Sequence, residues 1–279
     1  MVVSIVGRGN ANIVCVVDHD YTEVYRISVR FGQLSANNTY VQDNYKYIDS
    51  VVRNIGPIGD LLVPMRIQAV PAISELGDLA KSEGVAIDEE YMSCIVMPHL
   101  YAQQNIYKKL DHFNRVHFNE ACDLVTWEFK PKWLYQSTDY CRNCSHNAWK
   151  GRGIGYCFLD EPSVILHEVF ETQQQLPLPR EFLDDITKYL SAPDNILQRL
   201  YAAQLQAKDD LALLMILRDV TCFLSWSQKT REISVKVVDV DLKPMEKLGH
   251  WKSTEAALSS LPNGMKRQRH DFGGTTHIN

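Results

Sequence analysis

The sequence lacks the features of a secreted or membrane-spanning protein. Its longest apolar runs, such as Leu211–Leu217, are too short to cross a bilayer. Residues 1–10 lack the basic region and cleavage site of a secretory signal. Seven cysteines, an odd number, in a chain with no such signal indicate reduced thiols rather than a disulfide framework. We therefore expect a protein that is neither secreted nor attached to a membrane.

The chain also lacks an excess of basic residues, an internal repeat and a low-complexity segment. Its 29 Lys and Arg stand against 34 Asp and Glu, a net charge of −5. This acidic balance argues against direct binding to nucleic acid. The length of 279 residues and the 45% hydrophobic content suit one large globular domain or two closely packed lobes.

Against this acidic background, cations gather in residues 128–153, EFKPKWLYQSTDYCRNCSHNAWKGRG. Between Glu128 and Arg152, five Lys or Arg stand against two acids. Local cations in an acidic protein suggest a pocket for a small polyanion rather than a surface for nucleic acid. The alternative is a solvated basic loop.

A predicted strand, residues 121–129, leads into this stretch. Glu128 and Lys130 are two residues apart and therefore share a face. Lys132 follows Pro131, which cannot continue a strand ladder. Two lysines leaving one strand end can bind two different phosphoryl groups. A structural ion pair between Glu128 and a lysine is the alternative.

Near the start of the chain, two strand patterns, residues 2–6 and 13–17, flank the loop GRGNAN. Strand residues follow the glycines, so the helix-opening dinucleotide fingerprint does not fit. Such a loop forms either a flap over phosphates or a plain hairpin.

The next strand pattern, residues 25–30, places Arg26, Ser28 and Arg30 on one face. Kinases put a phosphate-binding lysine on the third strand, behind a glycine flap. We expect Arg26 to take that place here and Arg30 to be a surface charge.

The cysteine cluster reads Cys141-x2-Cys144-x-His146, with Cys157 further on. A C-x2-C element and a later cysteine permit a tetrahedral zinc site. The alternative is buried free thiols, with His146 serving the pocket.

Acidic residues end a predicted strand, residues 233–242. Asp239 and Asp241 would share a strand face, so both carboxylates could approach one Mg²⁺ ion. The end of a surface hairpin is the alternative. Asp219 is a third acid, at the edge of an apolar helix predicted over residues 209–217.

The remaining patterns predict further elements of both kinds. Helices are predicted over residues 40–55, 71–82, 163–170, 180–190 and 195–207. Strands are predicted over residues 61–70, 92–97 and 221–226. If the chain turns helical after Pro244, Lys243 and Lys247 share a face with Trp251. Residues 265–279 are polar and we expect them to be disordered; their basic cluster, 266–270, suits a nuclear import signal or a solvated tail.

Six motifs occur together and in order: GRGNAN at 7–12, YRISVR at 25–30, EFKPKWLY at 128–135, DYCRNCSHNAWKGRG at 139–153, LRDVTCF at 217–223 and VDVDLKPMEK at 238–247. With these motifs the chain resembles the inositol-pentakisphosphate 2-kinases in their compact fungal form. The resemblance runs almost from end to end.

The resemblance implies an α+β, two-lobed fold distantly similar to protein kinases. It implies an N-lobe with an antiparallel sheet and a glycine flap (residues 1–98), a larger α+β C-lobe (99–264) and the tail (265–279). The implied reaction moves the γ-phosphoryl group of ATP, with Mg²⁺, to the 2-hydroxyl of inositol 1,3,4,5,6-pentakisphosphate. A monomer in the nucleus, and also in the cytoplasm, is expected. The rival functions are a kinase of another inositol phosphate and a non-catalytic polyphosphate-binding scaffold.

The resemblance also assigns roles residue by residue. Nucleotide binding falls to Gly9, Asn10, Asn12, Arg26, Glu128, Lys130 and Asp239. Mg²⁺ falls to Asp239 with Asp241. The acceptor falls to Lys132, Arg142, His146, Lys150, Asn195, Lys243, Lys247 and Trp251. Catalysis falls to Lys130, on the transferring phosphate, and to Asp219, as base or orienting group. Some relatives bind zinc through Cys and His from another region, which does not correspond to Cys141, Cys144 and Cys157.

Overall fold

The computed structural model describes residues 2–171, 176–244 and 246–270. By its internal contacts the chain divides into two compact units, residues 1–54 with 62–102 and residues 55–61 with 103–279. Each unit combines helices with an antiparallel sheet. The predicted α+β class is confirmed.

The first unit is built on a five-stranded antiparallel sheet in the order β1-β2-β3-β5-β4. Its elements are β1 (Val3–Arg8), β2 (Asn12–Val17), β3 (Glu23–Ser28), α1 (Leu34–Ser50), β4 (Arg66–Pro71), α2 (Glu75–Ser82) and β5 (Tyr91–Pro98). Alternating side chains of β2 and β3, such as Ile13 and Ile27, pack with Leu34 and Leu76 into a core. Gly77 allows α2 to approach closely, because a Cβ atom there would lie 1.8 Å from the carbonyl oxygen of Ala72.

Several bounds in this unit differ from the predictions. Strand β4 begins at Arg66 rather than at residue 61, and helix α2 begins at Glu75 rather than at residue 71. Helix α1 begins at Leu34 rather than at residue 40 and ends at Ser50. The apolar spacing does not reveal the first turn of this helix, because the turn contains the polar Asn37. The buried side-chain amide of Asn37 donates to the carbonyl oxygens of Phe31 and Gln33. Strand β3 ends at Ser28, so Arg30 does not share its face; Arg30 instead stacks on Tyr40.

The second unit contains another five-stranded antiparallel sheet, in the order β10-β9-β8-β7-β6. Its strands are β6 (Ile106–Lys109), β7 (Asn114–Phe118), β8 (Leu124–Phe129), β9 (Thr221–Ser227) and β10 (Ile233–Val238). Its helices are α3 (Arg142–Trp149), α4 (Pro162–Leu166, continued by a π-helical turn His167–Glu171), α5 (Arg180–Leu190), α6 (Ile196–Gln206), α7 (Leu211–Leu217) and α8 (Lys247–Ser259).

The core of this unit is aromatic. Trp127 stacks on Phe129 with ring centroids 4.2 Å apart, and Phe182 of α5 meets Trp226 of β9 edge to face. Helices α5 and α6 lie where the apolar spacing predicts them. Strands β6 and β7 and helix α3 were not predicted, because they are short and rich in polar residues.

The second unit also corrects the predicted strand 233–242. Strand β10 ends at Val238, and Asp239 adopts a left-handed backbone conformation with φ of 63°. Alternation along a strand therefore does not relate Asp239 to Asp241.

The end of the described chain is fixed to α3. Residues Tyr140 and Gln268 form an antiparallel bridge, and the amide of Cys141 donates to the carbonyl oxygen of Arg267 over 2.9 Å. The disorder predicted from residue 265 is thus not seen up to His270; residues 271–279 lie outside the described residues. Within the described ranges, none of the helices has the length and apolar character that crossing a membrane requires.

Candidate active site

A cavity of about 810 Å³ opens in the second unit. Among the described residues that line it, seven are Lys or Arg and three are carboxylates. The cations are Lys132, Arg142, Lys150, Arg152, Arg218, Lys243 and Lys247, and the carboxylates are Asp219, Glu246 and Glu255. The cations that gather in the sequence therefore line a cavity, and several segments distant in sequence form its walls.

Helix α3 supplies one wall. Arg142, His146, Trp149 and Lys150 line the cavity, because residues four and seven or eight positions apart share a helix face. The ammonium of Lys150 lies 4.1 Å from the centroid of the Trp149 ring. Directly after the helix, left-handed glycines at 151 and 153 (φ 62° and 65°) allow the turn that carries Arg152 to the same cavity.

Helix α8 supplies a second part of the cavity lining. Lys247, His250, Trp251, Thr254 and Glu255 line the cavity with helical spacing. Glu255 accepts two hydrogen bonds from Arg142, from Nε at 2.9 Å and from Nη2 at 2.7 Å. This ion pair joins α3 to α8 across 113 residues of sequence.

The backbone of Lys132 is held by one buried side-chain amide, that of Gln204, which the sequence patterns did not reveal. The Lys132 backbone is left-handed, with φ of 63°. Gln204 of α6 is fully buried; its Nε2 donates to the carbonyl oxygens of Lys132 (2.8 Å) and Leu217 (3.2 Å). Its Oε1 accepts from the amides of Leu134 and Tyr135, each at 3.0 Å. Gln204 thus fixes the segment after β8 to the end of α7.

Asp219 follows α7 and lies between two lysines. Its Oδ1 accepts from Lys132 Nζ at 2.5 Å, and its Oδ2 accepts from Lys243 Nζ at 2.6 Å. Burial by itself raises the pKa of Asp219, but the charges and hydrogen bonds of the two lysines outweigh it and hold the pKa well below its usual range. Burial lowers the pKa of Lys132 more than Asp219 raises it. Asp219 is therefore a carboxylate at neutral pH.

Lys130 has a different partner. Its Nζ donates to Oδ2 of Asp239 over 3.1 Å, and Thr221 Oγ1 donates to the same oxygen. Burial lowers the pKa of Lys130, but Asp239 and Asp219 outweigh burial and leave the pKa raised. The two lysines of the EFKPK motif are thus directed to separate carboxylates.

Arg218 also lines the cavity, although the sequence patterns assign it no role. It is 4% exposed, its Nη2 donates to the carbonyl oxygen of Tyr135 at 3.0 Å, and its guanidinium lies 3.5 Å from the Trp133 ring centroid. Within the described part of the chain, its buried Nε has no hydrogen-bond partner. Burial lowers the pKa of Arg218 to about 9. The position of Arg218 directly before Asp219 in the sequence is the signal that could have indicated a place in the cavity.

Two histidines of the cavity are poor bases in this cationic surrounding. Burial and the nearby Arg142 and Arg152 lower the pKa of His146 to about 4. Burial and the neighbouring Arg152, Lys132 and Lys109 lower the pKa of His112.

Lys130 and Asp239 are not among the residues that line the cavity, and three further assigned residues of the second unit also lie outside this lining. Glu128 accepts from Arg115 (3.2 Å), its cross-strand partner on β7, and bonds to His117 (3.0 Å). Asn195 caps α6: it accepts from the amides of Leu197 and Gln198 and donates to the carbonyl oxygens of Leu190 and Ala192. These bonds use the buried amide for capping, and Asn195 is not among the residues that line the cavity. Asp241 is 8% exposed and shares no strand face with Asp239.

The assigned residues of the first unit lie around its first hairpin. Gly9 donates its amide to the carbonyl oxygen of Asn12 over 2.9 Å, closing the loop between β1 and β2 that exposes Asn10. Arg26 lies opposite Val14 on β3 and is 7% exposed. When the Asn12 amide is oriented to satisfy both of its groups, its oxygen accepts from Arg26 Nη2 at 2.8 Å.

The cysteine cluster also forms. The Sγ atoms of Cys141, Cys144 and Cys157 all lie within 4.8 Å of one another. Cys141 precedes α3 and Cys144 lies in its first turn, so the cluster borders the helix that lines the cavity.

Comparison with known proteins gives a consistent result. The family model described as inositol-pentakisphosphate 2-kinase matches residues 190–257. A Kluyveromyces lactis protein named inositol-pentakisphosphate 2-kinase is 51% identical, over 95% of this chain and 98% of its own length. Proteins of the same name from Eremothecium gossypii and Saccharomyces cerevisiae are each 34% identical, over 92% of this chain and 96% of their own lengths.

Proposed function

The chain belongs to the inositol-pentakisphosphate 2-kinase family, and from that membership we propose that it transfers the γ-phosphoryl group of ATP to the 2-hydroxyl of inositol 1,3,4,5,6-pentakisphosphate. The product is inositol hexakisphosphate. The observation that carries the proposal is the cation-lined cavity of the second unit with Asp219 among its walls.

The cavity suits this acceptor in charge and size. Five phosphomonoesters carry roughly −7 to −10 charge near neutral pH, since each contributes about −1.5 to −2. Seven Lys and Arg against three carboxylates leave the described lining with an excess of four positive charges. The volume of about 810 Å³ falls in the range of small-molecule sites. Lys132, Arg142, Lys150, Lys243 and Lys247 are the proposed phosphate ligands, with His146 and Trp251 beside them.

Asp219 is the proposed base or orienting group for the acceptor hydroxyl. In the free protein its carboxylate is neutralised by Lys132 and Lys243, so it is a weak base. Phosphates of the acceptor would compete for these ammonium groups, and the pKa of Asp219 would then rise. Substrate binding would thereby prepare the carboxylate to accept the hydroxyl proton.

Lys130 and Asp239 are the proposed groups on the nucleotide side. The Asp239 side chain is 43% exposed, which suits an ion such as Mg²⁺ that keeps several of its waters. When bound, Mg²⁺ neutralises charge on the transferring phosphoryl group. Lys130 is positioned by Asp239 to bind an oxygen of that group. Asp241, being buried, is a weaker candidate for a second ligand.

Nucleotide-binding roles for Gly9, Asn10, Asn12 and Arg26 are supported within the first unit by the closed hairpin loop and by the bond between Arg26 and Asn12. A kinase-like, two-lobed arrangement, with lobes divided near residue 98, is part of the same proposal. So is nuclear residence, which imaging of the tagged full-length protein tests.

Turnover of a panel of inositol phosphates with ATP tests the function. We expect the pentakisphosphate with a free 2-hydroxyl to react fastest and to give hexakisphosphate by anion-exchange chromatography. Faster phosphorylation of an acceptor whose 2-position is already occupied contradicts the 2-kinase and favours another inositol phosphate kinase. Tight binding of the pentakisphosphate without turnover favours the scaffold.

A further inference from the structure

A fourth metal-ligating side chain stands beside the three clustered thiols. Nε2 of His270 lies 3.9 Å from Sγ of Cys144, although 126 residues separate the two in sequence. The bridge between Tyr140 and Gln268 brings the histidine there, and the amide of Arg267 reinforces it by donating to Ser145 Oγ over 2.9 Å. The end of the described chain therefore places a histidine nitrogen beside one of the clustered thiols.

The separation of two of the thiols matches a tetrahedral thiolate site. Sγ of Cys141 lies 3.8 Å from Sγ of Cys157. Zinc–sulfur bonds of about 2.3 Å at tetrahedral angles place two sulfurs about 3.8 Å apart. A disulfide requires a separation of about 2.05 Å, so these thiols are not bonded to each other.

The carboxylate of Asp160 contacts both His270 and the backbone of Cys157. Oδ1 of Asp160 lies 2.8 Å from Nδ1 of His270, and its Oδ2 accepts from the amide of Cys157 over 2.6 Å. A carboxylate on Nδ1 fixes the tautomer that leaves the Nε2 lone pair available for a metal ion. Metal-binding histidines characteristically have such a partner, because it holds the ring and raises its basicity.

The geometry points to a structural zinc site formed by Cys141, Cys144, Cys157 and His270, with Asp160 as the partner of His270. Three sulfurs and one imidazole nitrogen form a ligand set that favours zinc. Four protein ligands close the coordination sphere, as in structural rather than catalytic sites.

The site would fasten the end of the described chain to the wall of the acceptor cavity. Cys141 and Cys144 flank Arg142, and α3 then carries His146 and is followed directly by Lys150. An ion held between the start of α3 and His270 would fix the position of that helix. This inference concerns metal content and stability, so it stands whether or not the proposed function is correct.

Metal analysis and zinc-edge X-ray absorption of the purified full-length protein test the site. We expect one zinc per chain, with a shell of three sulfurs and one nitrogen. Asp160→Asn should lower zinc affinity about 10- to 100-fold. His270→Gln should remove the nitrogen from the shell and lower the affinity further. Cys122→Ala and His167→Gln, outside the cluster, are matched controls that should retain the metal.

Cysteine variants can fail to fold, so the wild-type protein provides a second measurement. Removal of zinc by a chelator should lower the unfolding temperature of wild type and of Cys122→Ala, and added zinc should restore it. A wild-type protein that binds no zinc after incubation with the ion under reducing conditions overturns the inference. A zinc shell unchanged by His270→Gln overturns the assignment of the fourth ligand.

Discussion

The ammonium group of Lys132 lies 2.5 Å from a carboxylate oxygen of Asp219, which stands 87 residues further along the chain. The ion pair holds the Lys132 ammonium and the Asp219 carboxylate together in the cavity of the free protein. It makes the ionisation of Asp219 depend on where Lys132 points, and a polyphosphate would redirect Lys132. The proposed acid–base chemistry is thereby linked to acceptor binding.

Asp219→Asn tests the proposed base. The amide retains the shape of the side chain but cannot accept a proton, so kcat should fall by about 10²–10⁴. The KM for the acceptor should change little, since the phosphate-binding cations remain. Steady-state kinetics check both values, and Asp209→Asn, at a 91% exposed side chain, is the control. A kcat within a few-fold of wild type would exclude Asp219 as the base.

The two lysines of the EFKPK motif should fail in different ways. Lys132→Met removes a proposed acceptor contact, so the KM for the inositol phosphate should rise about 10- to 100-fold, as for a lost hydrogen bond to a charged group. Lys130→Met removes a donor proposed to act on the transferring phosphate, so kcat should fall about 10²–10³-fold. Lys208→Met, at an exposed surface lysine, is the control. Identical kinetic effects of the two variants would contradict the separate roles.

Gln204→Glu tests the buried amide that joins the Lys132 segment to α7. The carboxylate keeps the size of the side chain but loses both N–H donors, leaving the carbonyl oxygens of Lys132 and Leu217 without that partner. We expect the free energy of unfolding to fall by about 1–3 kcal/mol, measured by urea denaturation. The KM for the acceptor should also rise, because Lys132 loses its support. The matched variant Gln206→Glu, on the exposed side of α6, should leave both unchanged.

Acceptor binding should take up protons through His112. Burial and cationic neighbours lower the pKa of this histidine in the free protein, and bound phosphates would raise it. Because the bound state then holds more protons, affinity strengthens as the pH falls through the bound-state pKa. It levels off below the free-state pKa, where both states are protonated.

Calorimetric titration at several pH values, compared between wild type and His112→Gln, isolates this contribution. Protonation of the phosphates is common to both proteins and cancels in the comparison. The variant should show a shallower dependence of affinity on pH. An identical slope in the two proteins would show that His112 does not take up a proton.

Local patterns in the sequence were sufficient for much of the fold. The apolar periodicity gave α5 and α6, and the alternation of β8 placed Lys130 and Lys132 at its end. Elements with few apolar residues were not predicted. Helix α3 is an example, because it is mostly polar and its sequence has the pattern of a basic loop. The strand predicted through Asp241 was wrong because a left-handed residue at 239, which alternation cannot reveal, ends β10.

The sequence by itself determined the family, the α+β class and the residue types that a polyphosphate kinase requires, because motifs and periodicity depend on neighbouring residues. Only the tertiary structure decided which charge pairs with which. It joined Lys132 to Asp219 and Arg142 to Glu255, committed Asn195 to a helix cap, and brought His270 to Cys144 of the cysteine cluster. These partners are set by the burial of distant segments against one another. Such contacts leave no regular spacing in the chain.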